Sequence, residues 1–257
     1  MNRRDFVQGS AGAMLVPPTA PRGRILLVPA YFYPAGKGLK EWDRLIATGR
    51  KATILAIANP ASGPGEKFDP LYTAVLTRAD KAGIVLIGYV STRYAKRPAE
   101  QIVEDMARWH RFYPEVRGFF LDEQASAAAK VPFYADLAAH ARRILPGARI
   151  VANPGTTCEQ AYFARKTADV YGLFEGPAAG FSGWRPPRWA ADAPADHVAA
   201  VVYDVPRPDA MHRVLGESSA RNVGVVYVTD ARGENPYDRL PTYWEDEVKF
   251  IAGGERD

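Results

Sequence analysis

Residues 116–123, VRGFFLDE, combine a short apolar run with two acids at its end. Continuous apolar runs of this length are typical of β-strands that are covered on both faces, as in parallel sheets. Helical patterns lie on both sides of this segment. Residues 98–112 carry apolar residues at i, i+3, i+4 and i+7 after a first-turn proline, and residues 131–145 repeat the pattern before Pro146-Gly147. The stretch therefore predicts a strand between two helices, the repeating unit of parallel sheets.

The same alternation of apolar runs and helical patterns extends in both directions along the chain. The predicted strands are 25–28, 53–58, 84–90, 116–121, 149–152, 170–174, 198–203 and 223–228, with a last helix at 242–251. Eight strands favour a closed barrel, because barrels of eight βα units take about 250 residues. An open dinucleotide-binding sheet would need a glycine-rich turn after its first strand, and residues 29–34 (PAYFYP) contain no glycine. We therefore predict an α/β fold, a single (β/α)8 TIM-type barrel over residues 23–257.

Composition and charge exclude several classes of protein. The net charge of +4 is mild and the basic residues are scattered, so nucleic-acid binding is not predicted. The single cysteine, Cys158, rules out an internal disulfide, and the four histidines show no metal-ligand spacing. We accordingly predict neither a metal nor a cofactor. No later stretch approaches the roughly 18 apolar residues of a membrane span, so no integral membrane segment is predicted. The oligomeric state stays open.

The N-terminal segment has the pattern of a targeting signal. Residues 2–7 (NRRDFV) resemble a twin-arginine export motif, and a mildly apolar, Gly/Ala-rich stretch follows up to Val16. Residues 17–20 (PPTA) then lead towards a cleavage site. We expect residues 1–22 to be a leader and the protein to be exported to the periplasm or the cell exterior. The alternative is an uncleaved tail.

Acids follow two of the predicted strands at the end where barrel enzymes carry their chemistry. Strand 4 ends in Asp122 and Glu123, and strand 6 ends in Glu175, in each case after an apolar run. A carboxyl group that lies near like charges at an apolar barrel mouth should have a raised pKa, as a general acid needs. We therefore predict these three acids as catalytic residues. The alternative is that Asp122 caps the next helix and Glu175 is an ordinary loop acid.

Polar and aromatic residues follow the other strands or lie in their loops. The predicted substrate-binding residues are Tyr31, Asn59, Tyr89, Asn153, Tyr203, Trp184 and Asp230. Asn59 and Asn153 each precede a proline, so turn formation is their alternative role. Trp184 is predicted to stack on a sugar ring, with packing of its Pro-rich loop as the alternative. Strand ends without lysine, cysteine or histidine disfavour Schiff-base and acyl-transfer chemistry, and paired acids favour glycoside hydrolysis.

Six segments of the chain resemble the spherulation-specific family 4 (spherulin-4-like) proteins, in the same order. They are 28–34 (VPAYFYP), 59–65 (NPASGPG), 88–94 (GYVSTRY) with Arg97, 118–123 (GFFLDE), 153–155 (NPG) and 174–175 (FE). The resemblance implies a (β/α)8 glycoside hydrolase fold. It also implies an endo-acting hydrolase of α-1,4-linked, galactosamine-containing exopolysaccharide, whose essential acids match Asp122, Glu123 and Glu175 by motif.

The sequence thus predicts a secreted glycoside hydrolase whose partner is an amino-sugar polysaccharide of a cell surface or biofilm matrix. Two alternatives remain. One is a non-catalytic carbohydrate-binding or spore and envelope barrel, and the other is a barrel enzyme such as a polysaccharide deacetylase, which would need metal ligands. Retention or inversion of the anomeric configuration depends on the separation of Asp122 and Glu175, a distance that the sequence does not set.

Overall fold

The computed structural model describes residues 23–253 and shows a closed barrel of eight parallel strands in sequence order. The strands are β1 (Ile25–Ala30), β2 (Thr53–Ala58), β3 (Val85–Ser91), β4 (Val116–Asp122), β5 (Arg149–Asn153), β6 (Val170–Pro177), β7 (Val198–Tyr203) and β8 (Val225–Val228). The predicted (β/α)8 barrel is therefore confirmed. The predicted leader, residues 1–22, lies outside the described residues.

Helices connect the strands and form the outer layer. They are α1 (Gly36–Thr48), α2 (Pro70–Lys81), α3 (Ala99–Phe112), α4 (Val131–Ile144), α5 (Gln160–Ala164), α6 (Ala178–Gly183), α7 (Arg188–Ala191), α8 (Pro208–Ala220) and α9 (Trp244–Gly253). The predicted periodicity of 98–112 is confirmed in α3, where Ile102, Met106 and Trp109 are buried against the barrel. Helix α9 starts two residues later than predicted.

Several strands extend further towards their C-terminal ends than their apolar runs do. Strand β4 includes Asp122 and β5 includes Asn153, and these two residues are register partners. Ser91 at the end of β3 pairs in turn with Asp122. The backbone of these polar residues joins the hydrogen-bonded ladder, so the strands continue past the last apolar side chain. As a consequence, the chemically interesting residues lie on the rigid barrel rather than in loops.

The helix layer is fixed to the barrel by buried tryptophans that also donate hydrogen bonds. Trp109 on α3 donates from Nε1 to the carbonyl oxygen of Tyr89 at 2.8 Å, and Trp42 on α1 donates to that of Phe32 at 2.9 Å. Both indoles are fully buried.

The predicted lone thiol, Cys158, is also buried, and burial raises its pKa to about 12. Among residues 23–253, no helix combines the length and apolar character that crossing a bilayer requires.

The seam between β1 and β8 is short and is completed by a buried acid. Only Val225 and Val226 of β8 pair with β1, so the backbone N–H of Val228 takes another acceptor. That acceptor is Glu247 on α9, whose Oε1 receives the bond at 2.9 Å. Glu247 is fully buried, and burial raises the pKa of its carboxyl well above the usual range, against the smaller lowering effects of the Val228 N–H and Arg24.

Replacing Glu247 by glutamine is expected to flatten the dependence of stability on pH. Because the folded carboxyl has a raised pKa, it keeps a proton that the unfolded chain has already lost, so the free energy of unfolding falls as pH rises above the ordinary glutamate value. The fall is about 1.4 kcal/mol per pH unit within that window. Urea denaturation at pH 5 and pH 8 measures it. Glu245→Gln on the same helix is the control and should keep the wild-type slope, because the hydrogen bond from Arg44 lowers the pKa of Glu245.

Candidate active site

Three adjacent strands place two acids and an amide together at the C-terminal mouth of the barrel. Asp122 ends β4 and Asn153 ends β5, and the two are register partners. Glu175 lies on the next strand, β6, just beyond an irregularity in its pairing with β7 between Gly172 and Phe174. Neighbouring strand ends in a parallel barrel meet at one rim, so the three side chains converge.

The amide nitrogen of Asn153 bridges the two acids. Nδ2 donates to Oδ1 of Asp122 at 2.9 Å and to Oε2 of Glu175 at 2.7 Å. Since one nitrogen contacts both oxygens, those oxygens can be no further apart than the two lengths combined, about 5.6 Å. Asn153 is itself buried, which fixes the bridge in place.

Two glycines make room for this bridge. A methyl group at Gly172 on β6 would come within 2.4 Å of Oδ1 of Asn153, so any larger residue would displace the amide. Gly155 has a φ of +65°, and its carbonyl oxygen accepts the backbone N–H of Glu175 at 3.1 Å. The sequence 153–155 (NPG) thus serves both as a turn and as a support for the acids.

Three tyrosines enclose the acids. Tyr89 on β3 donates its hydroxyl to Oδ2 of Asp122 at 2.7 Å, and Tyr237 donates to Oε1 of Glu175 at 2.7 Å. Tyr31 lies edge-on between the two phenols, with ring centroids 5.8 Å from Tyr89 and 5.7 Å from Tyr237. Both oxygens of each acid are therefore hydrogen-bonded, and aromatic rings pack around them.

The environment of Glu175 favours its protonated form. Burial is the largest influence and raises the pKa of its carboxyl. The hydrogen bonds from Tyr237 and Asn153 lower that pKa, the charge of Asp122 raises it, and the net shift is upward. A carboxyl group with a raised pKa next to an acid that accepts two hydrogen bonds is the arrangement of a general acid beside a nucleophile.

Glu123, the third predicted acid, lies in a strained turn. Its φ is +53°, and its carboxyl accepts a hydrogen bond from Oγ of Ser91. The fully buried Thr92 holds the turn, because its Oγ1 lies 3.0 Å from the carbonyl oxygen of Asp122 and 2.8 Å from that of Glu123. The hydroxyl of Tyr134 lies 2.8 Å from the same Oγ1. We call Thr92 and Tyr134 the threonine clamp.

The segment that follows Thr92 is also left-handed. Arg93, Tyr94 and Ala95 have φ values of 46°, 55° and 59°, and the N–H of Tyr94 donates to the carbonyl oxygen of Glu123 at 2.7 Å. For residues other than glycine this conformation costs roughly 1–2 kcal/mol each. Such strain persists only where surrounding contacts enforce it, and it is commonly found at functional sites.

A cleft of about 720 Å³ opens beside the acids. It is lined by residues 61–66, Tyr89, Ser91, Arg93, Arg97, Asp105, Arg108, Asp122 and Glu123. Its volume lies within the range of about 300–1,000 Å³ that is usual for small-molecule sites. The lining thus combines acids with three arginines, Arg93, Arg97 and Arg108.

The structure brings most of the predicted site residues together, but not all of them. Asp122, Asn153, Glu175, Tyr31 and Tyr89 form one network, and Glu123 lines the same cleft. Tyr203 ends β7 and lies near enough to Tyr237 to contribute to the raised pKa of that phenol.

Asn59, Trp184 and Asp230 have other contacts. Asn59 accepts the N–H of Gly63 at 2.9 Å and so shapes the loop that walls the cleft, in line with its alternative turn role. Trp184 stacks on Phe181, with ring centroids 5.7 Å apart, in line with its alternative packing role.

Asp230 binds Arg239 at 2.7 Å and Oγ1 of Thr242 at 2.8 Å. Burial raises the pKa of Asp230, but these hydrogen bonds outweigh it and the net pKa is lowered. Asp230 thereby anchors the loop between β8 and α9 that carries Tyr237. Substrate binding by Asp230, Asn59 and Trp184 stays a prediction.

Tyr237 is the main residue that the sequence reasoning missed. It lies well beyond the end of β8, in a loop whose path the strand pattern does not predict. A signal was available in residues 235–237 (NPY), a turn sequence with an aromatic residue in a loop at the barrel mouth. Oδ1 of Asn235 accepts the N–H of Tyr237 at 3.1 Å and forms that turn.

Replacing Tyr237 by phenylalanine is expected to raise the pKa of Glu175 further, because the variant removes a hydrogen bond that lowers it. Carbon-13 NMR titration of the glutamate carboxyl groups measures the change. Tyr203→Phe is the matched control: within the described chain Tyr203 makes no hydrogen bond to Glu175, so its loss should leave the titration unchanged. A downward shift in the Tyr237 variant would show that the phenol does not stabilise the carboxylate.

Comparisons with known proteins agree with this architecture. The crystal structure of Aspergillus clavatus Sph3 in complex with GalNAc superposes with a TM-score of 0.77 at 24% identity and covers 90% of this chain and 98% of that one. A β-galactosidase from Marinomonas ef1 superposes with a TM-score of 0.60 at 10% identity and covers 89% of this chain and 59% of that one. At these identities the likeness extends to the fold alone.

Sequence comparison places the chain in a family. Spherulin-4 from Physarum polycephalum is 27% identical over 237 residues, which are 88% of this chain and 69% of that protein. The sequence model of spherulation-specific family 4 matches residues 25–251, nearly the whole barrel. The chain therefore belongs to spherulation-specific family 4.

Proposed function

We propose that this protein is a glycoside hydrolase that cleaves an amino-sugar polysaccharide, of the α-1,4-linked galactosamine type, with retention of anomeric configuration. The observation that carries the proposal is the bridge from one amide nitrogen of Asn153 to both Asp122 and Glu175. Retaining glycosidases hold their two carboxyl groups about 5–5.5 Å apart, whereas inverting enzymes need about 6.5–9.5 Å to admit a water molecule. The upper limit of about 5.6 Å between the bridged oxygens fits retention.

Each acid has a distinct role in this mechanism. Glu175, whose raised pKa favours the protonated form, gives its proton to the glycosidic oxygen while Asp122 attacks the anomeric carbon. The leaving chain departs with that proton, and the sugar remains as an ester on Asp122. Glu175, now a carboxylate, takes a proton from a water molecule that attacks the same carbon. The ester breaks, Asp122 is released, and Glu175 is protonated again.

The amino-sugar part of the proposal has separate support. Asp122 and Glu123 line the cleft, and Glu175 is bridged to Asp122 through Asn153, so this group of acids favours a cationic amine on the sugar that binds there. Glu123 lies on the cleft wall and accepts from Ser91 with Oε2, so its other carboxyl oxygen is the one to bind a hydroxyl or amine of that sugar. Sph3, a protein with the same fold, was crystallised with GalNAc, an N-acetylated amino sugar. The twin-arginine motif at residues 2–7 supports action outside the cytoplasm, where such polysaccharides occur.

The test is reducing-end release by the purified protein from a panel of amino-sugar polymers and from neutral polymers such as amylose. The double variant Asp122→Asn/Glu175→Gln, purified in the same way, is the control for contaminating hydrolases. Cleavage of an amino-sugar polymer by the wild type alone, with the first-formed anomer retained by proton NMR, is the expected result. Binding without cleavage would instead establish a carbohydrate-binding barrel, and release of acetate without new reducing ends a deacetylase.

A further inference from the structure

The cleft extends well past the catalytic acids. Its volume of about 720 Å³ suits a ligand larger than one sugar ring, since sites of about 300–1,000 Å³ commonly enclose drug-sized molecules. Apart from residues 61–66 and the strand ends, the wall of the cleft comes from the turn after β3 and from α3. Three arginines lie on it: Arg93, Arg97 and Arg108. A sugar unit next to the one at the acids would meet these cations.

Two of the three arginines are neutralised by acids of the protein. Arg97 pairs with Asp105 at 2.5 Å and also donates to the carbonyl oxygen of Ser91 at 3.0 Å. Arg108 pairs with Glu104 at 2.7 Å and approaches Asp105 at 3.5 Å. These two guanidinium groups therefore serve mainly to build the wall.

Arg93 differs from both. Its side chain is exposed, lines the cleft, and makes no hydrogen bond or ion pair with any residue between 23 and 253. Glu66, at the rim of the same cleft, lies close enough to Arg108 for its charge to act on that guanidinium. Arg93 is thus the cation of this wall that is available to a ligand.

The backbone holds Arg93 at a fixed place relative to the acids. Its φ of 46° opens the left-handed run through Ala95. The N–H of Tyr94 and the threonine clamp bind the carbonyl oxygen of Glu123, so the turn that bears Arg93 and the turn that bears the acids are joined directly.

We propose that Arg93 forms an anion-binding subsite in the cleft, and that the polysaccharide carries an anionic substituent on the sugar unit next to the amino sugar at the cleavage point. This inference rests on the proposed glycosidase function. An exposed guanidinium repels an ammonium group but binds a carboxylate or sulfate through paired N–H donors. A polymer that alternates amino sugars with uronic acids or sulfated sugars would match both the acids and Arg93.

The test compares substrate pairs that differ only in the charge of the neighbouring unit. Wild type and Arg93→Met are assayed on oligosaccharides in which the amino sugar adjoins a neutral sugar, a uronic acid or an O-sulfated sugar. Arg93→Met should lower kcat/KM on the acidic substrates by about 10- to 100-fold, as expected for losing hydrogen bonds to a charged group. Its kcat/KM on the neutral substrate should be unchanged, and Arg93→Lys should recover part of the loss. The relative size of the uronate and sulfate effects identifies the anion.

Lys96→Met is the matched control, because it removes the same charge from the same turn but lies outside the cleft lining. An equal loss in this variant, or an equal effect of Arg93→Met on neutral and acidic substrates, would overturn the proposal. A wild type that cuts no polymer would refute the glycosidase function but not the anion site. That site is tested separately by titrating the protein with glucuronate and with sulfate while following the arginine Nε–H signals by NMR. Failure of both anions to perturb an Arg93 signal would overturn the subsite.

Discussion

Glu175→Gln and Asp122→Asn are each expected to lower the rate of polysaccharide cleavage by at least about 10²-fold. Proton transfer by a general acid contributes on the order of 10²–10⁴-fold, and loss of the nucleophile removes the covalent route altogether. Both substitutions keep the shape of the side chain. Reducing-end release at saturating substrate measures kcat for each variant beside the wild type.

The two variants should differ in a way that assigns their roles. An aryl glycoside with an acidic phenol as leaving group does not need a proton, so Glu175→Gln should still form the glycosyl-enzyme from it, and added azide should release a product of retained configuration. Asp122→Asn should not recover in the same way, and azide that substitutes for its carboxylate should give the opposite anomer. The reverse pattern would exchange the roles of the two acids. Wild-type activity in both variants would show that the active site is elsewhere.

Stability provides the control for folding. Because the pKa of Glu175 is raised in the folded protein, its ionisation opposes folding once pH exceeds the ordinary glutamate value. Glu175→Gln should therefore be at least as stable as the wild type at neutral pH, a trade of stability against activity that is common at active sites. A loss of activity in this variant cannot then be attributed to unfolding. Thermal unfolding of the wild type and Glu175→Gln at pH 7 measures this difference in stability.

The second large effect is expected at Asn153. Asn153→Ala removes the donor shared by Asp122 and Glu175. Oδ1 of Asp122 and Oε2 of Glu175, which are no more than about 5.6 Å apart, then face each other without a donor between them. Loss of a single preorganised donor in an active site commonly costs about 10²–10³-fold in kcat. We expect a loss of that size in kcat, together with a further rise in the pKa of Glu175, because one lowering contact is removed while the charge of Asp122 remains.

Asn59→Ala is the comparison for this variant, since the two asparagines have the same sequence context. Asn59 binds the N–H of Gly63 and shapes the cleft wall, so its loss should raise KM and leave kcat within a few-fold of the wild type. Steady-state measurements of kcat and KM, together with the pH dependence of kcat/KM, distinguish Asn59→Ala from Asn153→Ala. Unchanged kcat in Asn153→Ala would mean that the bridge does not contribute to the transition state.

The barrel and its acids could be predicted from the sequence because both depend on local patterns. Each of the eight strands contains a buried apolar run, and the first polar residue after such a run lies near the rim. That rule placed Asp122, Asn153 and Glu175 correctly. It does not state where a side chain points, so it could not predict that the carboxyl of Asp230 binds Arg239 and Thr242.

Tyr237 could not be placed by that rule. Its position depends on the path of the loop between β8 and α9, which is set by the contacts of Asp230 at the loop's base and by the turn at Asn235. These are interactions between residues that the sequence does not mark as neighbours of Glu175. Trp184 shows the same limit, since the choice between binding a sugar and packing on Phe181 depends on tertiary structure.

The threonine clamp has a consequence for altering the specificity of this barrel. Thr92 donates to the carbonyl oxygens of Asp122 and Glu123, and the N–H of Tyr94 donates to that of Glu123. Because these bonds join the loops after β3 and β4, the two loops cannot be exchanged one at a time with those of another barrel. A graft of either loop would leave unpaired backbone groups beside the catalytic acids. Residues 61–66 line the same cleft without such bonds to the acids, so libraries that vary this loop should yield new substrate ranges at the least loss of turnover.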